Sequence, residues 1–263
     1  MKRPIFISLG LGVQSTCLTA MSVLEDGIER AECAIFADTG WERKETYNHL
    51  ERFKEWCSER DFPIHVVSDG DLRQDNLEEK WPSMPLFMDG EESSAPMRRQ
   101  CTGRYKVDPI HRKMRELLGY RKRQRIPIDL ARMWVGISRD ETMRVKPSQE
   151  RWIEKEFPLI DLGMTRLDCA IKLKELGIDI PVKSACIGCP YRDNNSWSDM
   201  KKNSPEEWED AVEFDKKIRG IMKGRNVARP AFLHRELIPL DEIDLMEDQI
   251  NLFNMECEGV CGL

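Results

Sequence analysis

Short apolar runs closed by turn residues recur at "PIFISLG" (4–10), "AECAIFADTG" (31–40), "FPIHVVSDG" (62–70) and "RMWVGIS" (132–138). Each reads as a strand, and stretches with helical apolar spacing, 13–26 and 42–60, fill the first two intervals. Strands alternating with helices specify a parallel sheet with helices on its faces. Near and within the second helix, Trp41, Tyr47, Leu50, Phe53 and Trp56 fall on or near one stripe and are assigned to the core. Between 69 and 97 the periodicity dissolves into "SMPLFMDGEESSAPM" (83–97). Its Pro, Gly and Ser content predicts a long loop, of the kind that serves as a lid. Helical spacing resumes at 109–119, at 165–176 behind the N-cap candidate Thr165, and at 205–222, where Ser204, Pro205 and Glu207 form a capping-box start.

A chain of 263 residues can bury one large core, and 40% hydrophobic with 33% charged residues is ordinary for a soluble globular protein. No apolar run reaches the length that spans a bilayer, so no membrane partner is expected. Met1-Lys2-Arg3 ahead of Ile5-Phe6-Ile7 imitates a signal peptide. Gln14, Ser15 and Thr16 interrupt its apolar part, and Glu25-Asp26 follow without a small-residue cleavage site. Nine scattered cysteines, an odd number, do not make a disulfide framework and point to a reducing, cytoplasmic setting.

The formal net charge of −6 argues against indiscriminate binding to nucleic acid, but its distribution is uneven. Residues 98–125, "RRQCTGRYKVDPIHRKMRELLGYRKRQR", carry eleven Lys or Arg against Asp108 and Glu116. This segment suits either a polyanion partner or a solvated helix face followed by a basic loop.

The first strand runs through Gly10 and Gly12 directly into a helix. Such a turn lets main-chain amides converge on a phosphate at the positive end of the helix, though a tight structural turn has the same signature. The spacing is neither the dinucleotide fingerprint nor the Walker A pattern, since no Gly-Lys-Ser/Thr end is present.

Together, "SLGLGVQST" and "FADTGWERKETYNHL" resemble the PP-loop ATP pyrophosphatase superfamily. The resemblance is strongest to the branch of phosphoadenosine phosphosulfate reductases and DNA phosphorothioation sulfurtransferases, phage-encoded members included. "RRQCTGRYKVDPI", "VGISRDETMR", "FPLIDLGMTRLDC" and "KSACIGCPYR" extend it over most of the chain. It implies an α/β three-layer sandwich of the adenine nucleotide alpha hydrolase type, its twisted sheet mostly parallel, with a helical C-terminal part. Residues 1–190 would form the nucleotide-binding domain with the inserted loop 69–97, and 191–263 a helical extension and cysteine-bearing tail packed on it. The loop would hold ATP or an adenylyl-sulfate nucleotide through Ser8, Gly10, Gly12, Ser15 and Thr16, with Asp38 and Thr39 from the second strand. Lys106, Arg139 and Arg144 would lie near the phosphates. Polyphosphate cleavage needs fixed cations or Mg²⁺ on the leaving group, and Asp38 and Glu141 could carry that ion or simply cap and pair. Two departures stand out: Gly10-Leu11-Gly12 replaces Ser-Gly-Gly, and Val13-Gln14 replaces the Lys or Asp common before the final Ser.

Cys186-Ile187-Gly188-Cys189-Pro190 can aim two thiols at one metal, and alone is ambiguous among zinc, iron–sulfur and dithiol use. The resemblance adds Cys101 as third ligand of a [4Fe-4S] cluster with one iron open. Structural zinc with a fourth ligand from Cys257, Cys261 or a histidine, and thiols without metal, remain the alternatives. Cys17, Cys33, Cys57 and Cys169 lie in helical or strand patterns and read as buried apolar residues. The terminal "CEGVCGL" resembles the Cys-Gly-Leu end of the reductases, whose thiol attacks sulfur, but lacks the histidine that usually follows. A frayed end or further metal ligands are the alternatives.

Three functions follow. The first is an ATP-dependent sulfurtransferase that adenylates an oxygen of a nucleic acid or nucleotide, held by 98–125, and inserts sulfur, with a sulfur-donor protein as a further partner. The second is an adenylyl-sulfate reductase acting through Cys261. The third is a nucleotide-sensing module without turnover.

Overall fold

The computed structural model describes residues 2–79, 81–89, 94–224 and 229–245. In chain order its elements are β1 (Ile5–Leu9), α1 (Val13–Leu24), β2 (Cys33–Asp38), α2 (Lys44–Ser58), β3 (Ile64–Ser68), α3 (Leu72–Glu78), β4 (Phe87–Asp89), β5 (Ser94–Pro96), α4 (Asp108–Leu117), β6 (Ala131–Val135), β7 (Ile153–Glu156), α5 (Pro158–Asp161), α6 (Arg166–Glu175), α7 (Asn194–Asn203), α8 (Pro205–Gly224) and β8 (Ala231–Phe232).

The four expected strands pair in parallel, and β7 adds a fifth, in the order β3-β2-β1-β6-β7. Period-2 alternation sends their side chains to two faces. Ile5, Ile7, Leu9, Ala34 and Phe36 meet α1, α2 and α6 on one side. Phe6, Cys33, Ile35, Met133 and Val135 meet Ile110 and Met114 of α4 on the other. The result is an α/β architecture, a largely parallel sheet between helical layers. β7 escapes the pattern because "IEKE" is not an apolar run; Glu156 instead accepts from Arg132 Nε (2.8 Å) and Trp134 Nε1 (2.7 Å).

Three expectations are corrected. Residues 69–97 are not a structureless loop: α3 and the antiparallel pair β4–β5 form there, and Leu72, Met84 and Leu86 are buried. They join Trp41, Tyr105, Trp197, Trp208 and Phe214 in a separate apolar cluster under α7 and α8, so Trp41 leaves the α2 stripe. Ser204 and Glu207 serve α2 rather than a capping box: Glu207 accepts from Arg43 Nε (2.9 Å) and the Lys44 amide (2.7 Å), and Ser204 Oγ from Arg43 Nη2 (3.0 Å). The Thr165 cap does form, reciprocally with Asp168. Among the described residues no helix is long and apolar enough to cross a membrane.

Candidate active site

The chain adds β2 and β3 to one side of β1 and then crosses to place β6 and β7 on the other. The strand order therefore reverses between β1 and β6, and the carboxyl edge beside such a reversal is the place where open α/β sheets bind ligands. Gly12 caps α1 with extended geometry (φ −88°, ψ 175°) and no side-chain cap, which leaves the first-turn amides without that partner. The Gly10 amide donates to Ser15 Oγ, and Ser15 Oγ to the Gly12 carbonyl, both at 3.2 Å. A Cβ at Gly12 would meet nothing within 4 Å, so there is open space beside the turn at that position; a Cβ at Gly136 would lie 2.7 Å from Ser15 N and Cα. The loop after β6 is thus pressed onto the first turn of α1. Ser8, on β1 below, is buried.

Leu11 adopts φ 57°, the left-handed region that favours glycine. That conformation costs about 1–2 kcal/mol, and burying a leucine side chain returns about 1.5–3 kcal/mol; Leu11 is 1% exposed within the core. Gln14, where the loop lacks a charge, donates to Ser138 Oγ and accepts from Arg166 Nη1, each at 3.4 Å. A cation from the start of α6 therefore stands beside the turn. Thr16 Oγ1 lies 3.2 Å from His49 Nε2, and burial pushes His49 down to about 4, which keeps the imidazole neutral near pH 7.

The end of β2 faces a second feature. Asp38 Oδ1 accepts from the Gly40 amide (2.9 Å) and Tyr47 OH (2.8 Å). Thr39 Oγ1 turns the other way, 3.0 Å from Glu42 Oε1 and 3.5 Å from Cys186 Sγ. The segment carrying Cys186 docks by its main chain on the residues after β2, through an antiparallel bridge between Glu42 and Cys186 and a bond from the Ile187 amide to the Trp41 carbonyl (2.9 Å). A pocket opens here, and Cys101, Cys186 and Cys189 line it together with Thr39, Lys106 and Arg99. Cys101 and Lys106 reach its wall from a segment that includes a π-helical turn, Gly103–Val107, a rare geometry that often marks functional sites.

Glu42 is buried behind this wall, 3.3 Å from Lys106 Nζ and 3.5 Å from Cys186 Sγ, and its Oε2 has no hydrogen-bond partner among the described residues. Burial and this carboxylate push the Cys186 thiol well above its usual range. Arg192, also buried, donates to the Cys186 carbonyl (2.9 Å) and lies over the Trp197 ring. Glu42, Arg192 and Arg166 were not singled out from sequence; only the adjacency of Glu42 to "DTG" and of Arg192 to "CIGCP" pointed their way.

Among the described residues no three His, Cys, Asp or Glu side chains are gathered tightly enough for a single metal ion. The three thiols line one pocket without meeting at a single ion position. Cys17, Cys33, Cys57 and Cys169 are buried away from the pocket, and burial raises Cys33 and Cys57 to about 12. Arg139 is exposed at the start of a short 3₁₀ turn after β6, and Arg144 at its end pairs with Glu141 at 2.5 Å. Cys257 and Cys261 lie outside the described residues.

No family model and no curated protein matches the chain. Solved structures do resemble it, among them two enzymes. The phosphoadenylyl-sulfate (PAPS) reductase from Candida auris, in a phosphate complex, aligns over 69% of this chain and 76% of its own, with 12% identity and a TM-score of 0.44. The U34-tRNA thiolase NcsA from Methanococcus maripaludis, with its [4Fe-4S] cluster, aligns over 92% of this chain and 73% of its own, with 12% identity and a TM-score of 0.43. The first is of a kind that the sequence resemblance named. At these values no residue role is carried over from either.

Proposed function

We propose that the chain is an ATP-dependent sulfurtransferase whose nucleotide cradle is Gly10–Thr16 and whose sulfur site is the pocket of Cys101, Cys186 and Cys189. The observation that carries this reading is the meeting of Cys101 with Cys186 and Cys189 in the lining of one pocket beside Thr39, at the sheet edge where the cradle opens. Thiols that line one pocket without converging on a single ion position suit a cluster, whose cysteines bind different irons, better than a single tetrahedral zinc. Lys106, which also pairs with Glu42, and Arg99 line the same pocket and would offset part of the charge that the thiols take on as cluster ligands. A cluster bound there supplies sulfur at the hydrosulfide level.

The amides of the cradle hold the ATP phosphates, and Arg166, Arg139 and Arg144 offset charge on the leaving group, in place of a loop lysine. A substrate oxygen attacks the α-phosphorus, the bond to the bridging oxygen breaks, and pyrophosphate leaves with the electron pair; sulfide then displaces AMP, with no net redox change. Asp38, held by Tyr47 and the Gly40 amide, would be the carboxylate to hold a Mg²⁺, which would supply further positive charge for the leaving group. The sulfide comes from solution or from a donor protein.

Anaerobically prepared protein is expected to contain about four irons and four acid-labile sulfides per chain, and to convert ATP to AMP and pyrophosphate when substrate is supplied. Cys101→Ser, Cys186→Ser and Cys189→Ser should each lower the iron content. A colourless protein with stoichiometric zinc, or sulfite release from adenylyl-sulfate without ATP, overturns the reading.

A further inference from the structure

The basic run 98–125 divides into two surfaces in the fold, and this division bears on substrate size. Its first half reaches the pocket, and many of its cations there and along α4 have carboxylate partners: Arg104 with Glu79 and Asp75, Lys106 with Glu42, Arg112 with Asp69, and Lys113 with Glu116. Arg121, Lys122, Arg123 and Arg125 differ. All four are exposed, none forms an ion pair among the described residues, and no Asp or Glu occurs between Leu117 and Ile128.

Their backbone is fixed. Arg115 Nη2 donates to the carbonyls of Arg121 and Gln124, both at 2.8 Å. The Gln124 amide donates to the Arg121 carbonyl (3.1 Å), and the Arg121 amide to Gln124 Oε1 (3.0 Å). Tyr120 and Ile126 pack into the core on either side. A charged turn stapled at both ends presents its cations without the ordering cost of a loose loop.

The turn precedes β6 and so lies at the amino edge of the sheet, opposite the cradle and the pocket. α4 starts directly after the π-helical turn that bears Lys106 and carries the chain back across the sheet; its ten residues span about 15 Å at 1.5 Å per residue. Phosphates recur about every 3.4 Å along one strand, so four or more separate the two surfaces at roughly that spacing. A mononucleotide cannot touch both.

We infer that Arg121, Lys122, Arg123 and Arg125 form a remote docking point for the phosphodiester backbone of a nucleic acid whose modified residue reaches the cysteine pocket. This inference rests on the sulfurtransferase reading for the pocket end only.

The test is fluorescence anisotropy on the full chain with a folded tRNA-sized RNA, a duplex DNA of similar mass, polyglutamate as an acidic-protein mimic, and ATP. The variant R121A/K122A/R123A/R125A should bind RNA or DNA more weakly and ATP equally well. With four phosphate contacts removed, the unaltered protein loses about 50- to 150-fold more affinity than the variant between 50 and 200 mM salt. R121K/R123K/R125K, which keeps the charges, should restore binding, and the arm that binds tighter tells RNA from DNA. An unchanged salt slope in the alanine variant, or polyglutamate binding as tight as nucleic acid, overturns the inference while leaving ATP turnover and iron content to judge the pocket. Conversely, a protein without iron or turnover that still shows the salt slope keeps the docking point and loses the sulfurtransferase reading.

Discussion

Gly136→Ala tests how closely the cradle depends on the loop that follows β6. The added methyl would lie 2.7 Å from Ser15 Cα and N and 3.0 Å from the Gln14 carbonyl carbon, all main-chain atoms of α1 that cannot rotate away. Ordinary carbon contacts are about 3.5–4.0 Å, so the two segments must part by roughly 1 Å. Both are fixed by other bonds: α1 is buried through Val23, and β6 is hydrogen-bonded to β1 and β7. Overpacking of this kind costs about 1–3 kcal/mol. A shift of about 1 Å in a positioning element can also cost about 100-fold in rate. Urea unfolding should show a lower midpoint with an unchanged slope, and ATP affinity should fall. Gly220→Ala is the control of opposite sign, since a Cβ there meets nothing within 4 Å on an exposed turn of α8, and helix propensity favours alanine by about 1 kcal/mol. Equal stability and equal ATP affinity for Gly136→Ala and the unaltered protein would refute the close approach of these loops.

Gly12→Ala should behave differently: the fold tolerates it at a cost near 1 kcal/mol for a poorer N-cap, but the methyl enters the open space beside the turn, so calorimetry should show ATP affinity falling with little change in melting temperature. His49 is neutral in the fold, with its pKa at about 4 against the usual 6.5; the unfolded chain takes up the proton first, so its stability contribution is complete above about pH 6.5 and is lost as pH falls toward 4. That loss is about 3 kcal/mol at most, and unfolding midpoints for His49→Gln should depend less on pH across this window than those of the unaltered protein. Glu42→Ala removes the partner of Lys106 and should destabilise by about 3 kcal/mol or less, because the lysine keeps some access to solvent; the double variant Glu42→Ala/Lys106→Met should regain part of it, measured as a double-mutant cycle.

Four strands and most helices were legible because buried parallel strands are nearly continuous apolar runs and their helices repeat at 3.6. β7 was not, since a strand at the sheet's edge can stand on Ile153 and the ion pairing of Glu156. α7 was missed because "NNSWSDMKKN" buries little beyond Asn194, Trp197 and Met200. α3 was hidden because "LRQDNLE" is short and mostly polar, and β4–β5 because they lie in a stretch rich in Pro, Gly and Ser; the burial of both depends on α8 and β8, far along the chain. Spacing alone marked only Cys186 and Cys189 as a pair, and Cys101 joined them through the family resemblance; residue pattern could not show the meeting, because it depends on main-chain docking between Trp41–Glu42 and Cys186–Ile187. Glu42 looked like any surface carboxylate in "WERKE" until tertiary packing buried it.

Gly188 sits between the two pocket thiols of its motif, and a Cβ there would lie 2.1 Å from Cη2 at the edge of the Trp41 ring. That ring is held in place: its Nε1 donates to Asp210 Oδ2, and its centroid lies 4.7 Å from that of the tilted Phe214 ring. Positions 41 and 188 are therefore expected to vary as a pair among descendants of this sequence: a bulkier residue at 188 demands a smaller one at 41. A descendant that accepted Gly188→Ala while retaining Trp41 would have to reroute its motif.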